Sequence, residues 1–281
     1  MGGGRKNFLP KGYTDEEGGK GERSDGRDLT KEWLKKYPAA RYVSNLQQFN
    51  QLDVAKVDHL LGLFDPSHME YEVDRQADKA GEPSLAEMTV KAIKILQKNP
   101  QGFFLMVEGG RVDHAHHAGN ALRAMEDGKA YAAAVAAAVK MTSEDDTLII
   151  ATADHSHTIM LQGYAKRGNP ILGLSVGVDE KGHPLNVPTL AADGKPYTTL
   201  SYANGPGAIK GARADLSKVN VEGKNFRQQS LVPLNSETHG AEDVAIYARG
   251  PRAYLFDGTV EQNYIFHVME AAGELRSRIG R

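Results

Sequence analysis

Phe103-Phe-Leu-Met-Val107-Glu108-Gly-Gly-Arg111-Val-Asp113-His114-Ala-His116-His117 joins an unbroken apolar run to a cluster of acids and histidines. Such a run predicts a strand covered on both faces, the kind found in parallel sheets. A second apolar run, Thr147-Leu-Ile-Ile-Ala-Thr152, leads into Asp154-His155-Ser156-His157. Between them Ala121–Met141 is Ala-rich and predicts a long helix. Strands alternating with helices predict an α/β fold, a mostly parallel central sheet flanked by helices. In open sheets of this kind sites form beyond the carboxyl ends of strands. Both acid–histidine motifs are therefore expected on one edge of one sheet.

Working outward, Leu29–Tyr37 predicts a short helix ended by Pro38, and Val54–Leu63 a second, amphipathic one. Ser84-Leu-Ala-Glu87 is a capping-box pattern. The helix it opens carries Met88, Ile93 and Leu96 and stops at Asn99-Pro100. Lys11–Asp28, rich in Gly and charge, reads as a loop; Val244–Ala248 reads as a strand and Glu261–Ile279 as a closing helix. Gly163–Glu237 carries many Gly, Pro, Asn and Thr residues and reads as an irregular insertion. The expected division is a core of residues 1–162 and 238–281 with an insertion at 163–237. The sequence shows no internal repeat and no low-complexity tract.

Composition narrows the classes. A net charge of −2 argues against a general nucleic-acid or membrane-surface binder. The absence of Cys excludes disulfides, thiolate metal sites and cysteine nucleophiles. No apolar run is long enough to span a bilayer. Met1-Gly-Gly-Gly-Arg-Lys is not a signal peptide and lacks the spacing of a phosphate loop, so it reads as a tight turn. The end, Glu274-Leu-Arg-Ser-Arg-Ile-Gly-Arg281, is basic and carries no hydrophobic tail.

Six of the ten histidines fall in three acidic motifs, the third being Glu237-Thr-His239-Gly-Ala-Glu242-Asp243. Carboxylate and imidazole together suit a borderline divalent metal such as zinc. Three clusters in one chain point to more than one ion. Asp113 and His117 are four apart, which on a helical turn puts both on one face, able to share one ion. His239 is placed to complete that set. Asp154 and His155 suit a ligand pair in an irregular loop just past a strand. Glu108, a hard oxygen donor, suits Mg²⁺ or a bridging role. His114, His116 and His157 are read as ligands, as partners behind the ligands, or as phosphate contacts. An isolated His is usually structural, and His59, His68, His183 and His267 are read so. The metal reading rests on the joint pattern.

These motifs resemble those of the alkaline phosphatase family, animal-type members above all. Val107-Glu-Gly-Gly-Arg-Val-Asp-His-Ala-His-His117, Thr152-Ala-Asp-His-Ser-His157 and Glu237-Thr-His-Gly-Ala-Glu-Asp-Val244 carry the resemblance. Gly2-Gly-Gly-Arg-Lys6, Gly62-Leu-Phe-Asp-Pro66, Asn204-Gly-Pro206 and Glu261-Gln-Asn-Tyr264 extend it over nearly the whole chain.

The resemblance implies a phosphomonoester hydrolase with two Zn²⁺ and one Mg²⁺, working through a phosphoserine. It implies Asp113, His117 and His239 at the first zinc, Asp154 and His155 at the second, and Glu108 at magnesium. His114 would lie near the phosphate and His157 would support the second zinc. Animal-type members also hold Ca²⁺, which would fall on Glu17, the Phe64 carbonyl, Asp65 and Glu82. Here the pattern departs, with Asp65 where Glu is usual, Glu82 where Asp is usual and a shortened loop at Glu17. Gly163–Glu237 resembles the family's crown, and Tyr164 the tyrosine that reaches into a partner subunit's cleft, so the full-length form is expected to be a homodimer. The family also implies an extracellular or cell-surface location.

The resemblance covers only the C-terminal half of the family's fold. The half with the nucleophilic serine in an Asp-Ser-Ala type motif, the aspartate bridging zinc and magnesium, and the phosphate-binding arginine has no match. Ser156 is no substitute, since the family does not use it as nucleophile. The chain is therefore expected to be a C-terminal fragment, inactive or nearly so alone. The alternative is a non-catalytic metal-binding or phosphatase-like interaction protein. A sulfatase or phosphodiesterase of the same metal superfamily is disfavoured by the Asp-His-Ser-His and Glu-Thr-His-Gly motifs.

Overall fold

Asp28, Asn45 and Ser84 each accept backbone N–H bonds at the start of a helix, and these three caps set out much of the first part of the chain. The structure is a computed structural model, and it describes residues 1–278. Its helices are α1 (Leu29–Lys36), α2 (Leu46–Asn50), α3 (Leu85–Leu96), α4 (Arg111–His117), α5 (Ala121–Met141), α6 (Tyr264–Gly273) and α7 (Leu275–Arg278). Its strands are β1 (Ala40–Val43), β2 (His59–Gly62), β3 (Ile149–Ala151), β4 (Ser156–His157) and β5 (Ile159–Leu161), followed by β6 (Leu200–Gly205), β7 (Ser230–Pro233), β8 (His239–Gly240) and β9 (Tyr247–Arg249). The α/β class holds. Pairing is in small sheets: β1–β2 and β6–β7 are parallel, while β3–β9, β4–β8 and β5–β6 are antiparallel.

The chain forms two compact units, residues 1–109 with 127–143, and residues 110–126 with 144–281. In the first, Val43, Phe49, Phe64 and Met88 form a buried cluster, with Phe49 and Phe64 edge to face at 5.7 Å. The capping box of α3 forms as expected: Glu87 N donates to Ser84 Oγ at 3.2 Å, and Ser84 N donates to Glu87 Oε2 at 2.7 Å. It aims Met88 and Ile93 inward. Arg5 is 1% exposed; it pairs with Asp15 and Glu17 and donates to the carbonyls of Ser44 and Leu63. A buried guanidinium with this many acceptors ties the N-terminal turn to β1 and β2.

In the second unit, β5, β6 and β7 form a three-stranded sheet, with Tyr202 buried on β6. The carboxamide oxygen of Gln228 accepts from Ala121 N at 2.8 Å, and Asn120 Oδ1 accepts from Arg123 N, which together cap α5. The pair β4–β8 sets His157 directly opposite His239.

Several expectations are corrected. Val54–Leu63 is not a helix: Asp53 caps a single 3-10 turn at Val54–Lys56, and β2 follows, paired in parallel with β1. Pairing with a distant strand overrides a short local periodicity. Phe103–Val107 is not a strand. Among the described residues it pairs with nothing, and Phe104 and Met106 are 72% and 70% exposed. An apolar run becomes a strand only where neighbours take its backbone hydrogen bonds. The two motifs therefore do not share the edge of one sheet, since β3 pairs only with β9 among the described residues. The strand expected at Val244–Ala248 lies at Tyr247–Arg249. The closing helix begins at Tyr264, breaks at Glu274 in the left-handed region, and its expected end at Ile279 lies outside the described residues.

Candidate metal centre

Helix α4 carries Asp113 and His117 on one face, and the Asp113 carboxylate is the hub of the site. Its Oδ1 lies 2.9 Å from His157 Nε2, 3.3 Å from His117 Nε2, 3.6 Å from His239 Nε2 and 3.7 Å from His155 Nε2. These residues come from α4, the loop after β3, β4 and β8. The β4–β8 pairing joins two of those segments. Glu237 N also donates to the His117 carbonyl at 2.9 Å, which fastens the third.

The protonation pattern of the imidazoles is set from behind. His117 Nδ1 donates to the Glu237 carbonyl at 2.5 Å, His155 Nδ1 to the Ser156 carbonyl at 3.1 Å, and His157 Nδ1 to Glu237 Oε2 at 2.7 Å. Carbonyls and carboxylates only accept, so each Nδ1 carries a proton, and in the neutral ring that tautomer presents the Nε2 lone pair toward Asp113. Asp113 Oδ1 and His157 Nε2 have no hydrogen-bond partner among the described residues, and both are shut off from solvent. Buried acceptors that converge with no donor between them fit a cation. Among the described residues three groups could hold one: Asp113, His117 and His239; Asp113, His155 and His157; and His117, His157 and Glu237.

Glu237 anchors this arrangement. It is 1% exposed, and its Oε1 also accepts from the amide and hydroxyl of Thr158 at 2.6 and 2.8 Å. Beside it His116 stacks on His157 at 4.6 Å and meets the Tyr202 hydroxyl at 2.8 Å. Burial, then the neighbouring His157, pulls His116 down to about 4, so its ring is neutral at physiological pH. Burial pushes the Tyr202 phenol above its usual range. Gly240 belongs to this packing: a Cβ there would meet Ser156 Oγ and Glu242 Oε2 at 2.3 Å, the two atoms of a 2.6 Å hydrogen bond.

The remaining expected residues are outside the three groups found among the described residues. The Asp154 side chain is 81% exposed, with its Oδ2 3.6 Å from His155 Nε2. The His114 ring lies 3.2 Å from the Arg111 guanidinium. Glu108 is exposed and belongs to the first unit, and Tyr164 is 94% exposed.

A second acidic locus lies in the first unit. Glu82 is 1% exposed; its Oε2 accepts from Glu70 N at 2.8 Å, while its Oε1 has no partner among the described residues. Burial first, then Asp65, Asp78 and Glu70, push its carboxyl up to about 7. Phe64 is fully buried, and Asp65 accepts from Ser67 N at 2.5 Å. Glu17 is paired with Arg5.

The sequence profile described as "Alkaline phosphatase" matches residues 1–275. The chain belongs to the alkaline phosphatase family. It is 46% identical over 282 residues to the tissue-nonspecific alkaline phosphatase of Gallus gallus, covering 97% of this chain and 52% of that protein. It is 43% identical over 290 residues to the tissue-nonspecific isozyme of Homo sapiens, covering 100% of this chain and 53% of that protein. The chain thus spans about half the length of these relatives. Among solved structures, the Thermus thermophilus alkaline phosphatase aligns with a TM-score of 0.63 at 21% identity, over 96% of this chain and 61% of that one. A cold-active enzyme from Shewanella sp. aligns with a TM-score of 0.57 at 21% identity, over 96% and 64%. At that identity the likeness is one of fold. In this member of the family, the sequence alone does not disclose Glu237 as an anchor or Tyr202 as a partner of His116. A signal for the first was present: in an extended segment Glu237 and His239 share a face, two residues apart.

Proposed function

We propose that the Asp113 cluster is the metal centre of an alkaline phosphatase-type phosphomonoester hydrolase. One observation carries this reading: four imidazole nitrogens converge on one carboxylate oxygen that has no donor among the described residues. Asp113, His117 and His239 would hold a first Zn²⁺, Asp154 and His155 a second with His157 in support, and Glu108 would take Mg²⁺. Asp65, Glu82, the Phe64 carbonyl and Glu17 would take Ca²⁺, for which the orphaned Glu82 oxygen is the supporting observation. Bound at such a centre, paired divalent ions stabilise the attacking and leaving oxygens of phosphoryl transfer and lower a nucleophile's pKa. The chain's own residues do the rest. Glu237 holds His117 and His157 with their Nε2 lone pairs forward, and Arg111 with His114 offers cationic and hydrogen-bonding groups to a phosphate.

The nucleophilic serine lies in this reading outside the 281 residues, which contain no Asp-Ser-Ala motif. Residues 163–237 would form the crown and present Tyr164 to a second subunit of a dimer at the cell surface. Hydrolysis of p-nitrophenyl phosphate at alkaline pH, with Zn²⁺ and Mg²⁺, tests the assignment. Background turnover by the 281 residues, rising when a segment with the serine motif is supplied, is the expected result. Strong EDTA-sensitive turnover by the 281 residues alone would refute the placement of the nucleophile. Tight zinc binding with no turnover even after complementation would favour a non-catalytic metal-binding protein.

A further inference from the structure

We infer that Tyr202, on β6, is a positioning residue of the metal centre: its hydroxyl holds the His116 ring, and the face of that ring holds His157 in the plane from which its Nε2 meets an ion. The inference rests on the metal-centre reading above. His157 is held twice. Its Nδ1 bonds Glu237 Oε2 at 2.7 Å, which fixes one ring atom and leaves the tilt of the ring loosely held. Its face is packed by His116, with ring centres 4.6 Å apart and 25° between the planes. The other imidazoles around His157 meet it edge on, His117 and His155 at 5.1 Å and His239 at 5.4 Å. Those three belong to candidate ligand groups, so their own positions would depend on the ion. His116 is in none of the three groups, so it holds His157 before an ion arrives.

His116 is held in turn by Tyr202. The phenol oxygen is hydrogen-bonded to His116 Nδ1 at 2.8 Å, and the two rings pack at 5.9 Å and 69°. Tyr202 is 1% exposed, a depth at which a hydroxyl needs its partner. Its backbone is fastened on both sides. Tyr202 N donates to the Gln229 carbonyl at 3.0 Å, Tyr202 stands opposite Ile159 in the β5–β6 pairing, and Ala203 N donates to the Thr158 carbonyl at 2.9 Å. Thr158 directly follows His157, so backbone hydrogen bonds set the phenol against the segment whose histidine it steadies. Side chains locked by packing behind a site hold its ligands in their working geometry. Tyr202 falls in residues 163–237, so the segment read from the sequence as an insertion buttresses the metal centre in this arrangement.

Zinc binding by the full chain, read by competition with a chromophoric chelator, tests this, with the visible spectrum of the Co²⁺-loaded chain reporting ligand geometry. Tyr202→Phe removes one oxygen and keeps the ring. It is expected to weaken Zn²⁺ binding by about three- to tenfold, less than the loss of a partner bonded directly to a ligand, and to shift the Co²⁺ bands. His116→Ala should lose at least as much, and His116→Phe, which keeps a flat face, should lose less. Ser84→Ala, in the first unit, is the control for stability: it should melt lower and bind zinc like the parent. Parent-like zinc affinity and Co²⁺ spectrum in Tyr202→Phe or in His116→Ala, at whatever melting temperature, overturn the inference and leave a packing role alone. Equal losses in His116→Phe and His116→Ala overturn it too, because the stacked face would then count for nothing. So does failure of Tyr202→Phe to fold, since a hydroxyl acting only through His116 would not decide folding. If Asp113→Asn abolishes zinc binding while Tyr202→Phe does not weaken it, the metal-centre reading stands and the positioning role alone fails. No zinc binding by the parent removes both.

Discussion

Glu237 sits behind the imidazoles and orients two of them, one through its carbonyl and one through its carboxylate. Partners of this kind typically govern metal affinity by 10–100-fold. Glu237→Gln should therefore weaken Zn²⁺ binding by about 10- to 100-fold, read by competition with a chromophoric chelator. An unchanged affinity would mean the imidazoles hold their orientation without it. Glu82 gives a second test. In chelated protein its folded pKa, about 7, stands above the ordinary 4.5. The folded state then binds the proton more tightly, so the associated stability is present below about pH 4.5 and is lost as pH rises to about 7. The loss amounts to at most about 3 kcal/mol. Denaturant unfolding in EDTA across that range should show it, and Glu82→Gln should flatten the slope.

Elements differ in how locally they are fixed. Helix α3 is fixed by its own sequence: Ser84 and Glu87 satisfy its first N–H groups, and Met88, Ile93 and Ile95 bury its apolar face. Ser84→Ala should cost about 1 kcal/mol in denaturant unfolding. The β3–β9 pair depends instead on close approach of distant backbone. Gly250, with φ of +109°, leaves no room for a side chain, since a Cβ would meet the Thr147 carbonyl oxygen at 2.1 Å. Gly250→Ala should destabilise by more than about 2 kcal/mol, from both the backbone conformation and the contact. A loss near that of Ser84→Ala would show that the pair shifts at little cost.

At the scale of the whole molecule, an ion held in the second unit as proposed would couple metal binding to folding. Its histidine cluster joins α4, the loop after β3, β4 and β8, segments whose β ladder is only two residue pairs long. Zinc that binds the folded state stabilises by mass action, about 4 kcal/mol when free metal is a thousandfold above Kd. Chelation should lower the melting temperature and speed amide exchange at residues 154–158 and 236–241. Exchange there that is indifferent to zinc would place the ion elsewhere. No helix among the described residues is long and apolar enough to cross a membrane.

By itself the sequence determined what short-range physics encodes. The i, i+4 spacing of Asp113 and His117, the Ser84–Glu87 box and the Ala-rich periodicity of α5 are each read within one or two turns of chain, and each helix formed where expected. The candidate ligand groups were legible as composition, because carboxylate and imidazole keep their ligand character wherever they sit. Only the tertiary structure decided which of those groups meet. Val54–Leu63 gave up an amphipathic helix for pairing with β1, and Phe103–Val107 stayed unpaired for want of neighbours among the described residues. Asp113, His155, His157, Glu237 and His239 converge through β4–β8 pairing and burial. Those contacts are long-range in the chain, and no local periodicity records them.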